Sequence, residues 1–277
     1  MASRQTARLQ AIAQRIADLL PETVDEVVLT GSVSRGMADE LSDIEMLLVP
    51  RAELELDECY ALAAACGLTN LGSWGVQGLA AKRVSGLCDG APIELIWWPR
   101  AFAEAAVDAI FAGELSPSAE AIANGVPLQT SGLLAEWQER LRVVPENLAS
   151  QWIEEAALKW GGFYAGGLLT VVRPGARLPL LEWLVDDAGR VARIVFLLNG
   201  EWPPTTKRLA ERVAPLEVKP DRLAERIEAA LTDPDPRRAL LAMLDLELET
   251  LALAAGGEYV NRARVWLAEG RRIVAGA

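Results

Sequence analysis

The pattern in the sequence that most suggests chemistry is a pair of acidic residues at the start of an apolar run. Asp43 and Glu45 stand one residue apart in SDIEMLLV, residues 42–49. Side chains alternate along a strand, so both carboxylates should point to one face, roughly 6.5–7 Å apart at their Cα atoms. Two ionised carboxylates this close repel each other unless a hard cation lies between them. Oxygen ligands of this kind suit Mg²⁺ bound together with substrate phosphates.

A third acid, Glu94, interrupts the apolar run PIELIWW, residues 92–98. An ionisable side chain inside an apolar strand lowers stability unless it faces a partner or a cleft. The alternative for all three acids is structural. In that case Asp43 belongs to a turn, while Glu45 and Glu94 face solvent from a half-exposed sheet, as most strand carboxylates do.

A Gly-Ser turn precedes the acids, where Gly31 and Ser32 follow the apolar run at residues 27–29. A tight turn of this kind can bring backbone N–H groups and a hydroxyl against a phosphate. The turn matches neither the GxxxxGK[ST] pattern nor the GxGxxG pattern, which argues against a P-loop and against a Rossmann fold.

A second pair of charged residues lies far downstream, in IEEAALKWGG, residues 153–162. Glu155 and Lys159 are four residues apart, so on a helix they share one face about one turn apart. There the carboxylate can act on a hydroxyl while the ammonium group meets a phosphate. A Glu–Lys pair at this spacing is also the commonest surface pair on helices, and that structural alternative stays open.

The composition further limits the reactions and the partners that we expect for this protein. The chain of 277 residues contains no histidine, so a general base must be a carboxylate, a lysine or a tyrosine. A net charge of −12 without a Lys/Arg cluster argues against nucleic acid as a partner and favours a small cationic substrate. Cys59, Cys66 and Cys88 match no zinc spacing, so we expect free thiols and a cytoplasmic location. We expect no membrane partner, because no apolar run reaches the roughly 18 residues that a membrane span requires.

The elements that position the acids belong to the N-terminal half, where helix and strand patterns alternate. Helical spacing predicts three helices, at residues 5–20, 52–66 and 99–113. Apolar runs predict four strands, at residues 26–30, 44–49, 75–84 and 92–98. The order α-β-β-α-β-β-α predicts a small mixed sheet with helices packed on it.

From about Leu133 the strand patterns end and helical patterns continue. The predicted helices are residues 133–143, 146–170, 179–199, 202–214, 220–231 and 236–269. We therefore predict an α+β protein of two domains. A mixed-sheet domain spans residues 1–132, and an α-helical bundle domain spans residues 133–277.

The combined pattern of a Gly-Ser turn, an Asp-x-Glu pair and a glutamate in a later strand resembles the DNA polymerase β-like nucleotidyltransferase superfamily. GSVSRGMADELSDIEMLLV, residues 31–49, is most similar to the signature of the kanamycin nucleotidyltransferases, which are aminoglycoside 4′-O-nucleotidyltransferases. APIELIWW, residues 91–98, resembles the strand that carries the third carboxylate in that family. IEEAALKWGGFYAG, residues 153–166, resembles the helix that supplies its catalytic glutamate and its nucleotide-binding lysine.

This resemblance implies a mixed-sheet nucleotidyltransferase domain and a Mg²⁺-dependent reaction. A nucleoside monophosphate would pass from an NTP, by expectation ATP, to the 4′-hydroxyl of an aminoglycoside antibiotic, with release of pyrophosphate. The residues that it assigns are the metal ligands Asp43, Glu45 and Glu94, the general base Glu155, and the nucleotide contacts Gly31, Ser32, Arg35, Ser42 and Lys159. It further implies a homodimer.

Two alternatives stay open for the function. One is a nucleotidyltransferase that acts on another small molecule or on a protein hydroxyl, and the other is a non-catalytic relative that binds nucleotide. A polycationic acceptor would require further acids, for which Glu154, Asp186 and Asp187 are the candidates. The alternative for each of these three is an ordinary solvated helix face.

Overall fold

The fold was analysed in a computed structural model, which describes residues 4–73, 80–160 and 164–276. The chain divides into two compact units, Met1–Arg142 and Val143–Ala277, each with its own core. The predicted α+β class is confirmed, because a mixed sheet in the first unit is followed by helices in the second.

The N-terminal unit alternates helices and strands. Its elements are α1 (Arg4–Leu19), β1 (Val24–Thr30), α2 (Gly31–Ser34), β2 (Ile44–Pro50), α3 (Leu56–Ala65), β3 (Thr69–Ser73), β4 (Lys82–Cys88), β5 (Ala91–Trp97), α4 (Arg100–Phe111), α5 (Pro117–Ala123), β6 (Val126–Gln129) and α6 (Leu133–Arg140). In the described residues these strands form a six-stranded sheet of order β3-β4-β5-β2-β1-β6. β2 and β5 are parallel, and the other neighbouring strands are antiparallel.

The main core of this unit lies on one face of the sheet, against α1 and α3. Leu29, Met46 and Leu95 are fully buried there, one on each of the three central strands. Because side chains alternate along a strand, the residues next to them, Thr30 and Glu45 among them, point to the opposite face. The helices α1 and α3 therefore leave that second face available for polar groups.

The three cysteines belong to this core as buried free thiols. Burial raises the pKa of Cys59 to about 11, since a thiolate would lose its hydration there. Desolvation also raises the pKa of Cys66, and the neighbouring Cys88 adds to the shift. These thiols therefore serve as small apolar side chains in the core.

Glu26, fully buried in β1, connects α6 to the sheet. Its Oε1 accepts hydrogen bonds from the backbone N–H groups of Ser131, at 2.8 Å, and Leu133, at 2.9 Å. These bonds satisfy N–H groups at the start of α6 that have no partner within the helix. The first compact unit accordingly includes α6 and ends at Arg142, and the domain boundary after Gly132 stays a prediction.

The two edge strands were missed at the sequence level. β3 is largely exposed, and β6 has four residues including a proline, so neither has the apolar run that marks a buried strand. The strand predicted at residues 75–84 begins at Lys82 among the described residues, and its predicted part at 75–79 lies outside them. Local sequence patterns therefore predicted the central strands of the sheet and missed its two edge strands.

The C-terminal unit is helical throughout its described residues. Its helices are α7 (Glu146–Leu158), α8 (Tyr164–Val171), α9 (Arg177–Leu198), α10 (Leu209–Val213), α11 (Leu223–Thr232), α12 (Pro236–Leu253) and α13 (Glu258–Gly276). The predicted helix at 236–269 is two helices, because the chain leaves helical geometry at Ala254, before Gly256 and Gly257. The predicted helix at 202–214 is reduced to the five residues of α10. Along the described chain, no helix combines the length and the apolar character that crossing a membrane requires.

Candidate active site

A row of four polar residues crosses neighbouring strands on the face opposite the main core. Ser85 of β4 is paired with Glu94 of β5, and Glu94 is paired with Glu45 of β2. Glu45 is in turn paired with Thr30 of β1. Directly paired residues on neighbouring strands point to the same face, about 4.8 Å apart in the backbone. We call these four residues the acid row.

The pairing of Glu45 with Glu94 brings together two of the three predicted acids. They are aligned residues of the parallel strands β2 and β5, and both side chains are half-buried. Two carboxylates in that arrangement repel each other, which favours the binding of cations nearby. The acid row is therefore a site of concentrated negative charge on the sheet.

Gly31 forms one wall of this site, directly after Thr30. Its φ of +70° is in the left-handed region that favours glycine, and a Cβ atom there would lie 2.1 Å from Oε2 of Glu45. The Glu45 carboxylate therefore occupies the space that any other side chain at position 31 would take. The turn geometry favours glycine, and any larger residue would also have to displace the Glu45 carboxylate.

Asp43 precedes β2 by one residue and is half-buried. Its side chain forms no hydrogen bond or ion pair with any residue in the described ranges, so its carboxylate oxygens are available to a ligand. Still, no group of three or more acids within those ranges is arranged to hold a metal ion. Glu45 and Glu94 fit a Mg²⁺ ion that takes one or two carboxylates together with substrate phosphates, and the site is not an all-protein metal cage.

Arg83 is a functional candidate that the sequence analysis missed. Its Nη1 lies 3.5 Å from Oε1 of Glu94. Arg83 is two residues before Ser85 in β4, which places both side chains on the face of the acid row. The sequence does contain part of the necessary pattern, because Arg83 is a charged residue in a predicted strand. It was missed because the pairing of β4 with β5, which brings Arg83 beside Glu94, is not visible in a local pattern.

Two of the predicted nucleotide contacts have structural partners. Nη1 of Arg35 donates to Oε1 of Glu120 in α5 at 3.0 Å, and Glu120 is buried. Ser42 donates from its hydroxyl to the Asp39 carboxylate at 3.0 Å and accepts from the Asp39 backbone N–H at 2.9 Å. These bonds fix the loop between β1 and β2, and the predicted phosphate contacts of Arg35 and Ser42 stay predictions.

Ser32 lies in α2, a single short turn after Gly31, with its side chain half-buried. Its backbone carbonyl accepts a hydrogen bond from the Met37 N–H at 2.9 Å, which closes the loop. The predicted Gly-Ser turn is thus present beside Glu45. Its contact with a phosphate stays a prediction.

Glu155 and Lys159 lie in the C-terminal unit, both with exposed side chains. Glu155 accepts a hydrogen bond from Nε2 of Gln151 at 2.8 Å, one turn earlier on α7. Lys159 is the first residue after α7 and keeps helical backbone geometry, so the two share a helix face as predicted.

The three additional acids proposed for a cationic acceptor have other roles. Glu154 accepts from the backbone N–H of Tyr259 at 2.8 Å and of Val260 at 3.3 Å, so it caps the start of α13. Asp187 is buried and accepts from Nε1 of Trp160 at 2.8 Å. Asp186 is exposed and is ion-paired with Arg190. The alternative for these acids was an ordinary solvated helix face. Neither Glu154 nor Asp187 lies on such a face.

Comparison with protein-family models and with curated protein sequences gives no match. Among solved structures, a nucleotidyltransferase-like protein from Exiguobacterium sibiricum aligns with 99% of this chain and 75% of its own, at 11% identity and a TM-score of 0.36. Cid1 in complex with the UTP analogue UMPNPP aligns with 89% of this chain and 68% of its own, at 12% identity and a TM-score of 0.28. Terminal uridylyl transferase 4 from Trypanosoma brucei with bound GTP aligns with 87% of this chain and 66% of its own, at 11% identity and a TM-score of 0.27. Scores and identities this low describe a general likeness and assign neither an activity nor a substrate to this chain.

Proposed function

We propose that this chain is a nucleotidyltransferase. It transfers a nucleoside monophosphate from an NTP, in the first instance ATP, to the 4′-hydroxyl of an aminoglycoside antibiotic and releases pyrophosphate. The observation that carries this proposal is the in-register pairing of Glu45 with Glu94, beside the turn at Gly31. Two acids and a close glycine turn suit the binding of a metal-bound triphosphate.

In this proposal Asp43, Glu45 and Glu94 would hold Mg²⁺, which would neutralise charge on the triphosphate and align it for in-line displacement. Gly31 and Ser32 approach the phosphates through the backbone of the turn and the serine hydroxyl. Arg35 and Ser42 would be secondary contacts, since each also holds the loop in place.

The proposed general base is Glu155, and Lys159 is proposed to bind the phosphates at the reacting end. Glu155 takes the proton of the acceptor hydroxyl as the oxygen forms its bond to the α-phosphorus. The bond from that phosphorus to the bridging oxygen breaks, and pyrophosphate leaves with the electron pair. A positioned base of this type contributes about 10²–10⁴-fold to the rate.

Two features support the proposed acceptor class, the charge of the chain and the motif likeness. A net charge of −12 attracts a polycationic sugar over a distance, and salt screens that attraction. The Michaelis constant for an aminoglycoside should therefore rise steeply with ionic strength. A neutral acceptor should show a much weaker dependence.

The test is steady-state kinetics with kanamycin, with tobramycin and with a 4′-deoxy analogue at two ionic strengths, followed by mass spectrometry of the product. We expect the mass of one nucleoside monophosphate to be added to the first two compounds and not to the analogue. If no aminoglycoside with a 4′-hydroxyl gains this mass, the substrate is wrong. Pyrophosphate release with another acceptor would then support a nucleotidyltransferase of different specificity.

A non-catalytic nucleotide-binding protein is the second candidate. Two observations favour it: within the described ranges no group of three acids is arranged to hold a metal ion, and Glu94 is ion-paired with Arg83. Calorimetric titration with Mg²⁺-ATP, run beside a pyrophosphate-release assay, separates the two candidates. Binding without release across all acceptors would favour the second.

We further propose that the protein is a homodimer in the cytoplasm. Large apolar side chains on the C-terminal unit support the dimer, including Leu178 at 67% exposure and Val265 at 69%. The free thiols suit a reducing compartment. A monomeric mass by light scattering at micromolar concentration would contradict the dimer.

A further inference from the structure

We infer that Arg193, in α9, is a further phosphate-binding residue, which together with Lys159 binds the pyrophosphate part of the nucleotide. Both cations lie beside Glu155, the proposed general base. This inference deepens the proposed function and rests on it, since it adds a residue to the nucleotide site at α7. All the side chains that carry it belong to the C-terminal unit.

The helices α7 and α9 pack against each other and run in opposite directions. Nε1 of Trp160, the residue after Lys159, donates to Oδ1 of Asp187 in α9 at 2.8 Å. Earlier in α7, the ring of Trp152 lies 6.0 Å from the ring of Trp202, which follows the end of α9. A step backwards along α7 is therefore a step forwards along α9.

This packing places Arg193 at the level of Glu155. Glu155 is five residues before Trp160, and Arg193 is six residues after Asp187. At 1.5 Å of rise for each residue, they lie about 7.5 Å and about 9 Å along the helix axes from the Trp160–Asp187 hydrogen bond, in the same direction. Both side chains are exposed, so an anion in solvent can reach them.

Two arginines of α9 lie near this level, and they differ in their partners. Arg190 is ion-paired with Asp186, and its Nε lies 3.7 Å from Oδ1 of the buried Asp187. Among the residues that the structure describes, neither Arg193 nor Lys159 forms a hydrogen bond or an ion pair. Arg190 is therefore held by acids of its own helix, whereas the other two cations are available to a ligand.

The surroundings of Arg193 disfavour its positive charge. Partial burial lowers the pKa of its guanidinium and Arg190 lowers it further, whereas Asp186 and Glu155 raise it. Arg226, which is hydrogen-bonded to an acid, instead has a raised pKa. Because a guanidinium stays charged in proteins, an anion bound at Arg193 would offset this unfavourable environment.

A guanidinium and an ammonium group beside one another suit a chain of phosphates. The guanidinium can bind two phosphate oxygens through parallel N–H···O bonds, while the ammonium group binds as a point charge. Pyrophosphate carries oxygens on two linked phosphate groups, so it can reach both cations at once. Pyrophosphate is therefore the probe that tests the pair.

The experiment measures the binding of pyrophosphate to the full chain by isothermal titration calorimetry, in EDTA so that no divalent metal contributes. It compares the wild type with Arg193→Gln, Arg193→Lys and Arg237→Gln. Arg193→Gln should raise the dissociation constant about tenfold, which corresponds to about 1.4 kcal/mol, because a charge-assisted contact is lost. Arg193→Lys keeps the charge without the planar fork, so its loss should be smaller.

Arg237 provides the matched control. It is an exposed arginine of the same unit, in the first turn of α12. Arg177, at the start of α9, donates to the backbone carbonyl of Asp233 at 3.0 Å, so α12 begins near the start of α9. Arg193 lies sixteen residues further along α9, about 24 Å away along its axis. Arg237→Gln therefore removes the same charge at a distance and should keep the affinity of the wild type.

Three outcomes would overturn the inference while the proposed function stands. The first is that the wild type binds no pyrophosphate in EDTA. The second is that Arg193→Gln and Arg237→Gln weaken its binding alike, because Arg193 would then act only through the net charge. The third is an unchanged pyrophosphate affinity with a lower kcat in Arg193→Gln, which would assign Arg193 to positioning Glu155.

Failure of the proposed function gives a different result. If pyrophosphate binding depends on Arg193 but no acceptor leads to pyrophosphate release from ATP, the phosphate site is supported and the chain is the non-catalytic alternative. Circular dichroism controls for folding. If Arg193→Gln does not fold, Arg193→Lys is the test variant, and wild-type affinity in Arg193→Lys would then contradict the role of the guanidinium.

Discussion

The contact between Gly31 and Glu45 can be tested by Gly31→Ala. The added methyl group would lie 2.1 Å from Oε2 of Glu45, whereas non-bonded atoms of this kind stay about 3.5 Å apart. The carboxylate is the mobile end of its side chain, so it should move by about 1.4 Å and leave the backbone in place. A displacement of about 1 Å in a catalytic group can cost about 100-fold in rate, and we expect a loss of that size.

Gly36→Ala is the matched control for the backbone. Gly31 and Gly36 have nearly equal φ values, +70° and +73°, but a Cβ atom at Gly36 would meet nothing within 4 Å. An L-residue in this region costs about 1–2 kcal/mol. Both variants should therefore lower the melting temperature of the N-terminal unit by about 2–8 °C. The loss of activity should be confined to Gly31→Ala.

The assay is pyrophosphate release at saturating nucleotide and acceptor, with thermal unfolding as the control for stability. Equal activity in Gly31→Ala and Gly36→Ala, at equal stability, would refute the reasoning, because the carboxylate of Glu45 would then have no role at its observed position. A loss of activity in both variants would assign the effect to the loop backbone.

Glu155→Gln should lower kcat about 10²–10⁴-fold with little effect on nucleotide affinity, while Lys159→Ala should mainly weaken nucleotide binding. If kinetics and titration give the opposite result for each variant, the proposed roles of the two residues must be exchanged. Burial raises the pKa of Cys59 from 9.0 to about 11. The protonated thiol therefore contributes all of its stabilisation of the folded state below pH 9.0, and this contribution is lost as the pH rises through about 11. Urea unfolding across that pH range should show a smaller loss for Cys59→Ala than for wild type, and equal losses would exclude this thiol as the cause. Glu26→Ala leaves the donors at the start of α6 without their acceptor, so the free energy of unfolding should fall by about 3 kcal/mol or more, and Glu26→Gln should lose less. Similar unfolding curves for Glu26→Ala and wild type would contradict that role.

Local patterns in the sequence determined the elements and the direction of side chains within each one. The apolar runs around Val28, Leu47 and Leu95 predicted the three central strands, and alternation put Glu45 opposite the main core. The helical period put Lys159, the first residue after α7, on the same helix face as Glu155. These properties depend on residues a few positions apart, so one sequence suffices to predict them.

The tertiary structure decided which of these side chains meet. Glu45 lies beside Glu94 because β2 and β5 pair in parallel in one register, and Arg83 joins them because β4 pairs with β5. Arg35 pairs with Glu120, 85 residues later in the chain. A shift of one residue in any strand pair would send these side chains to the other face, and packing of the whole sheet selects the register. No local pattern contains that information, which is why the motif predicted the acids and missed Arg83.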